Sequence, residues 1–219
     1  MKEEIIKALE RENYPLALTL LDDEIRRNPE DPILLYNFGI CCSKTQNHKK
    51  TISIFQSFLE KFPKFVENSR VYEILIYSHI QLKHFKDAIA LIDERLKINT
   101  KDLNLLSFLA YAQEHSGDHE SAIAIHREIL KLSPENKNSL NSLGYLLSIK
   151  ENLSALEKAE AVTAIKKALE LSPDNAAYLD SFGVLLQKLG KHEEAKRAFE
   201  KALFLDPENP ILLDRLKIR

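Results

Sequence analysis

A chain of 219 residues, with 44% hydrophobic and 29% charged residues, has the composition of an ordinary globular protein. Its net charge of −2, with lysine and arginine interleaved among acids, excludes the clustered basic face that nucleic-acid binding requires. No apolar stretch approaches the ~20 residues of a membrane span, and the charged segment Met1–Lys7 lacks the apolar core of an export signal. We therefore expect a cytoplasmic protein, or a periplasmic or envelope-associated one if an export signal was removed from the chain.

Helical segments that end at a proline recur along the chain. Pro29 and Pro63 are 34 residues apart, as are Pro173 and Pro207. Pro134 lies 71 residues after Pro63, which is two such intervals, and 39 residues before Pro173. A period of about 34 residues, with two helices in each unit, predicts a helical repeat array. Such an array exposes a long surface and seldom contains a catalytic pocket.

In chain order, the repeats are predicted at 1–31, 32–68, 69–102, 103–136, 137–175 and 176–209, with a short closing helix at 210–219. The first helix of a repeat has a small residue where it approaches the second helix: Gly39, Ala110, Gly144 and Gly183. The second helix has an alanine at a fixed place: Ala17, Ala88, Ala122, Ala161 and Ala195. A large apolar residue follows one turn later: Leu21, Phe55, Ile92, Ile165 and Phe199.

Some positions depart from this pattern. Thr51 replaces the alanine, and repeat 69–102 has Ile76 in place of the small residue and Thr100 in place of the proline. Arg95 occupies a position in the same repeat that is otherwise small and apolar. In repeat 103–136, His126 stands where an aromatic or aliphatic residue is expected.

These features resemble the tetratricopeptide repeat (TPR) family, and the resemblance covers essentially the whole chain. The segments Asn141–Tyr145 and Leu179–Gly183 are similar to repeats of bacterial TPR proteins. The resemblance implies an all-α fold: one array over 1–219, forming a right-handed α–α superhelix of about six helix hairpins and a short capping helix. It also implies that the first helices of successive repeats line a concave groove.

The repeat at 137–175 is longer than the others. Ser154 and Glu157 have the spacing of a capping box, so we expect its second helix to begin near Ala155 and to run to about Leu171. Asn152 is a candidate to close the preceding helix. The added turn is either a length variation, which loops tolerate at little cost, or a docking feature.

By family geometry, a set of side chains on the first helices would face the groove and contact a partner. They are Tyr36, Ile40, Arg70, Glu73, Tyr77, Asn104, Ser107, Tyr111, Asn138, Asn141, Tyr145 and Asp180. Tyr77, Tyr111 and Tyr145 are spaced by 34 residues and would form a ladder. Tyrosine offers apolar area together with a hydroxyl, and asparagine can pair with a peptide backbone. The alternative is that the tyrosines only pack between neighbouring first helices.

The sequence therefore predicts a non-enzymatic adaptor or scaffold that binds a peptide or a helix of a partner protein. The alternatives are a self-associating spacer and a recruiting subunit for an enzyme on another chain. Clamping of chaperone tails is not expected, because no groove helix has the lysine–asparagine pair of that TPR type and Glu73 adds a negative charge.

No catalytic residue, cofactor or metal site is expected from the sequence. His115 and His119 flank the turn at Gly117 and so do not share a helix face. Cys41 and Cys42 are either two buried core residues or a vicinal-thiol site.

At the C-terminus, Ile211, Leu212 and Leu213 are too many apolar residues for one face of a short helix. Either some of them stay exposed or another chain covers them, which would allow self-association through this end. Lys217 and Arg219 are expected to face water.

Overall fold

A computed structural model describes residues 1–217, except for the side chain of Lys217, so the expectation for Lys217 and Arg219 lies outside what is described. This part of the chain contains thirteen α-helices and no strand. The helices are α1 (Glu3–Glu10), α2 (Tyr14–Arg27), α3 (Pro32–Lys44), α4 (His48–Lys61), α5 (Asn68–Gln81), α6 (Phe85–Leu96), α7 (Leu103–Ser116), α8 (His119–Leu132), α9 (Lys137–Ile149), α10 (Ala155–Leu171), α11 (Ala176–Lys188), α12 (His192–Leu205) and α13 (Pro210–Lys217).

The helices form two compact units. Unit 1 is Met1–Thr100 and contains α1 to α6, and unit 2 begins at Lys101 and contains α7 to α13. Within each unit every helix packs on the next one along the chain, and α3 also contacts α5 as α9 contacts α11. The expected all-α helical-repeat fold of the solenoid class is therefore confirmed. A single array over 1–219, the repeat boundaries and a right-handed superhelix remain predictions.

Three of the helix pairs are in close contact at a glycine of the first helix. A Cβ atom added to Gly183 would lie 2.3 Å from Phe199 Cε1, and one added to Gly39 would lie 2.4 Å from Phe55 Cε1. Gly144 meets Ile165 in the same way. The small residue in the first helix and the large apolar residue in the second, which the sequence pattern paired, are therefore in direct contact. No side chain fits at these glycines unless the opposite one moves.

The turn between paired helices has one residue in the left-handed region. Gly117 and Gly190 adopt it with φ of 91° and 76°. The same place is taken elsewhere by residues that have a side chain: Glu12, Gln46 and Lys83. In these five turns the next residue donates its amide N–H to a carbonyl five positions earlier, for example from His84 to His79 at 2.9 Å. The backbone geometry is thus shared although the residues differ.

The longer helix α10 begins as the sequence predicted. Ser154 accepts the amide N–H of Glu157 and the Glu157 carboxylate accepts that of Ser154, which completes the capping box. The Lys150 ammonium, 2.8 Å from Glu157 Oε1, and the Ser154 hydroxyl hold the pKa of Glu157 at about 2. The role expected for Asn152 is wrong, because α9 already ends at Ile149 with Lys150 as its C-cap.

Cys41 and Cys42 are free thiols buried in the core of unit 1, beside Leu21 and Phe38. Burial raises the pKa of Cys41 to about 11, so the reactive thiolate is disfavoured. The interpretation as core residues is confirmed.

The closing helix α13 packs on α12. Leu212 is 2% exposed and is in the apolar cluster with Leu179 and Ala202, whereas Ile211 is 60% exposed. Part of this apolar segment therefore stays exposed on the surface of the chain, which is the first of the two alternatives predicted from the sequence.

None of the helices in the described part of the chain combines the length and the apolar character of a membrane span.

The contact between Gly183 and Phe199 gives a test of the packing. Gly183→Leu should lower the free energy of unfolding by about 2–3 kcal/mol in urea titrations, because the new side chain overpacks the helix pair. Phe199→Ala alone should also destabilise, by about 3–5 kcal/mol. The double variant should be at least about 1 kcal/mol more stable than the sum of the two single changes predicts, because the leucine at 183 then occupies the space that the Phe199 ring leaves. Strict additivity would show that the two residues do not share this contact.

His126 in α8 occupies a position that holds Phe55 or Phe199 in other hairpins. It is buried, and neither ring nitrogen has a hydrogen-bond partner among the described residues. Burial lowers the pKa of His126 to about 4, since the charged imidazolium would lose its hydration. Below about pH 6.5 the unfolded chain takes up a proton at this position that the folded chain cannot bind until about pH 4.

His126 should therefore make folding less favourable as the pH falls from 6.5 to 4. We therefore compare the free energy of unfolding of His126→Leu with that of the unmodified chain. The difference in favour of the variant should be about 2 kcal/mol larger at pH 5 than at pH 7. Urea titrations of both proteins at the two pH values measure this difference. An equal stability difference at pH 7 and pH 5 would contradict the assignment of a neutral, buried imidazole.

Candidate functional site

Two adjoining cavities, of about 300 and 240 Å³, follow the first helices α7, α9 and α11 of unit 2. Glu114 and Ser142 line both of them. We call them together the unit 2 groove. Six of the residues predicted to contact a partner line it: Ser107, Tyr111, Asn138, Asn141, Tyr145 and Asp180. Asn104 is exposed in the first turn of α7 and lines neither cavity.

Tyr111 and Tyr145 provide the aromatic surface of the unit 2 groove. Tyr111 is 45% exposed, and its ring stacks on His115 with centroids 3.9 Å apart and planes at 21°. Tyr145 is half-buried. One face of Tyr111 is therefore held by a neighbouring ring, which fixes the position of the aromatic surface while leaving much of it accessible.

Asn141 is a half-buried residue of the unit 2 groove whose side chain has an unused acceptor atom. Its Oδ1 atom is buried and has no hydrogen-bond partner among the described residues. Buried polar atoms almost always have a partner, so an exception in a cavity indicates a place where a ligand can donate. Asn138, by contrast, accepts a 2.5 Å hydrogen bond from the Tyr178 hydroxyl, so its carbonyl oxygen is already engaged. Ser107 donates to its own helix, at Leu103 O.

Glu114 places a carboxylate between the two cavities. It is half-buried, and within the described residues its side chain makes no hydrogen bond and no ion pair. Burial raises the pKa of Glu114, and the nearby histidines 115 and 119 offset part of that rise. The groove therefore contains a partly desolvated acidic group that a cationic ligand would stabilise.

Asp180 also lines the groove, but its charge is neutralised. Arg215 of α13 donates to both carboxylate oxygens, at 2.8 and 3.3 Å. Arg215 also interacts with Tyr145. The closing helix thus contributes to the groove wall, which the sequence analysis did not anticipate.

The residues that sequence reasoning missed include Glu114, His126 and Arg215, which line the groove, and Tyr178, which donates a hydrogen bond to Asn138. Glu114 follows Ser107 and Tyr111 at helical spacing, and that spacing alone would have placed it on the same face of α7. Tyr178 and Arg215 are 40 and 35 residues away from their partners, and only the packing of α11 and α13 brings them there.

The predicted residues of unit 1 have different surroundings. Tyr36 packs against Phe65, with ring centroids 5.3 Å apart, and against Phe55 and Phe58. Burial raises the pKa of Tyr36, and the nearby Arg70 guanidinium offsets part of the rise. The ring of Tyr36 is therefore part of an aromatic cluster rather than a free surface.

The other four predicted residues of unit 1 lie on two helices: Ile40 on α3, and Arg70, Glu73 and Tyr77 on α5. Tyr77 is exposed and meets the edge of His48 with ring centroids 5.7 Å apart. Ile40 is half-buried and Glu73 is exposed. Because Tyr77 belongs to unit 1 while Tyr111 and Tyr145 belong to unit 2, a ladder of the three stays a prediction.

Two segments match models of the tetratricopeptide repeat, at residues 105–139 and 176–209. No protein with a curated description matches the chain.

Several solved structures share the fold. One is YrrB, described as a TPR protein with an unusual peptide-binding site: it is 17% identical, the match covers 90% of this chain and 98% of that one, and the TM-score is 0.66. Another is MamA from MSR-1, 19% identical over 84% of this chain and 98% of that one, with a TM-score of 0.62. A third is TTC0263, a thermophilic TPR protein of Thermus thermophilus, 17% identical over 85% and 97%, with a TM-score of 0.59.

At these identities the solved structures establish the fold, and the two matched segments establish the repeat type. With the paired helices, the glycine contacts and the shared turn geometry, these findings show that the chain contains tetratricopeptide repeats within a helical-repeat fold.

Proposed function

We propose that this protein is an interaction scaffold that holds an extended peptide segment of a partner protein in the unit 2 groove. The observation that carries the proposal is the unpaired, buried Oδ1 atom of Asn141 in a cavity beside the accessible ring of Tyr111. No chemical step is assigned to the groove: recognition of the partner is its role.

The polar lining favours an extended peptide over a helix. A helix uses its own backbone amides internally, so it cannot donate to Asn141 from its main chain. An extended peptide presents free N–H and C=O groups, which match an asparagine side chain. Tyr111 and Tyr145 would contact its side chains, and Glu114 would favour a lysine or an arginine near the middle of the segment.

The comparisons support a protein partner. Tetratricopeptide repeats are scaffolds without a pocket for chemistry of their own, and YrrB, of the same fold, is described as having a peptide-binding site. In unit 1, Ile40, Arg70, Glu73 and Tyr77 are proposed as a second contact surface for the same partner or another one.

A random-peptide phage library selected against the purified protein tests the proposal. Enriched peptides should bind in fluorescence-polarisation titrations, and Tyr111→Ala combined with Asn141→Ala should weaken binding at least tenfold, because an aromatic contact and a buried hydrogen bond are both lost. Glu114→Gln should weaken the peptides that contain a basic residue more than those that do not.

Phe204→Ala is the matched control, since Phe204 is an aromatic residue that is 83% exposed on α12 and lines neither cavity of the groove. It should leave the affinity unchanged, and far-ultraviolet circular dichroism should be the same for all variants. If the Tyr111 and Asn141 changes do not alter the affinity, or if no peptide is enriched, the groove is not the binding site.

A self-associating spacer is a second candidate function. The exposed Phe204 and Ile211, on α12 and α13, are the observation that favours it. If it is right, sedimentation velocity should show a concentration-dependent oligomer that Phe204→Ser with Ile211→Ser dissolves. A monomer at all concentrations excludes the spacer and leaves the peptide-binding scaffold. A recruiting subunit for an enzyme would differ from the scaffold only in the identity of its partner.

A further inference from the structure

The turn between α5 and α6 in unit 1 brings two histidines and a carboxylate together. One ligand atom from each of His79, His84 and Asp87 lies within 4.8 Å of the other two. His79 is near the end of α5, His84 is the N-cap residue of α6, and Asp87 lies in the first turn of α6. The three residues therefore come from a single helix hairpin.

His79 is buried without a partner. It is 5% exposed, and neither of its ring nitrogens has a hydrogen-bond partner among the described residues. Its Nδ1 atom lies 3.9 Å from Asp87 Oδ2, which is too far for a direct hydrogen bond. A buried ring with two unused nitrogens, one of them near a carboxylate, is an arrangement that a bound ligand would complete.

Both histidines depart from the pattern of three of the four other turns; the exceptions are Lys191 at the place of His84 and Gln113 at the place of His79. The residue at the place of His84 is Asn13, Asn47 or Asp118 in three of them, and each accepts an amide N–H of its own helix. His84 makes no such side-chain hydrogen bond. The place of His79 holds Ala8, Cys42 and Leu186 in three other turns, all of them buried. In this hairpin His84 thus replaces a helix-capping residue and His79 replaces an apolar core residue. A ligand site would explain both replacements.

We propose that His79, His84 and Asp87 form a binding site for a divalent transition metal ion, with zinc as the best match to its ligands. Two imidazoles and one carboxylate are a ligand set of zinc sites that keep an open position, and water or a group from a partner would take the fourth place.

Zinc binding requires the three ligand atoms to move closer together. Ligands about 2.0–2.1 Å from a tetrahedral zinc ion are roughly 3.3 Å apart, compared with 3.9 Å between His79 Nδ1 and Asp87 Oδ2 and at most 4.8 Å between any two of the three ligand atoms. The side chains of His84 and Asp87 are exposed and free to close this gap. The backbone is held, because the amide N–H of His84 donates to His79 O and Lys83 has the left-handed conformation with φ of 58°. Lys83 and Lys86 are exposed nearby and would moderate the affinity by repulsion.

Isothermal titration of the untagged, metal-free protein with zinc chloride tests the site. One ion should bind per chain, and Co²⁺ should give the visible absorption of a tetrahedral nitrogen and oxygen site without a thiolate band. His84→Asn and Asp87→Asn should each weaken zinc binding by about tenfold or more, since loss of a ligand costs at least as much as loss of a group that orients one.

Both changes are at exposed positions, and asparagine already stands at the place of His84 in two other turns, so the variants should fold. His119→Asn is the matched control at the start of α8 and should bind zinc as the unmodified chain does. The site is refuted if no zinc binds, if the His84 and Asp87 variants bind it unchanged, or if the His119 variant loses binding instead. A thiolate band would also refute it, since it would assign the ion to Cys41 or Cys42.

Discussion

The close contact between paired helices at a small residue is the constraint on which this structure depends. At Gly39, Gly144 and Gly183 the first helix of a pair lies close to a large apolar side chain of the second helix. An added Cβ atom would overlap that side chain. The next residue along the helix is turned by about 100°, away from the partner helix, because an α-helix has 3.6 residues per turn. Tyr145, which follows Gly144, lines the unit 2 groove for this reason.

Polar residues in buried positions mark the places where this fold departs from uniform apolar packing. His126 replaces a large apolar residue opposite Ala110, and Asn141 has an unused acceptor in the groove. Glu114 is partly desolvated beside them, whereas Asp180 is neutralised by Arg215. Each unpaired group makes folding less favourable, since burial removes its hydration. Their grouping around the unit 2 groove is what distinguishes this surface from the remaining surface of that unit.

The turns between paired helices combine one backbone geometry with side chains of different chemical character. Five turns share a left-handed residue and the same amide-to-carbonyl hydrogen bond, so the residues around them are free to vary. In the hairpin of α5 and α6 this freedom places His79, His84 and Asp87 together. In the hairpin of α9 and α10 an added segment instead ends in the capping box of Ser154 and Glu157. A repeat protein can thus acquire local sites without changing how its helices stack.

The sequence by itself determined the helix pairs, the glycine contacts and the start of α10, because period, capping residues and side-chain size act over a few turns of one chain segment. The resemblance to the tetratricopeptide repeat family, whose first helices line the groove, also indicated six residues of the groove. Only the tertiary structure decided which of them are available: Asp180 is paired with Arg215 and Asn138 with Tyr178, over separations of 35 and 40 residues. Hydrogen bonds and burial between distant segments depend on how the helices stack, and no local pattern in the sequence records that.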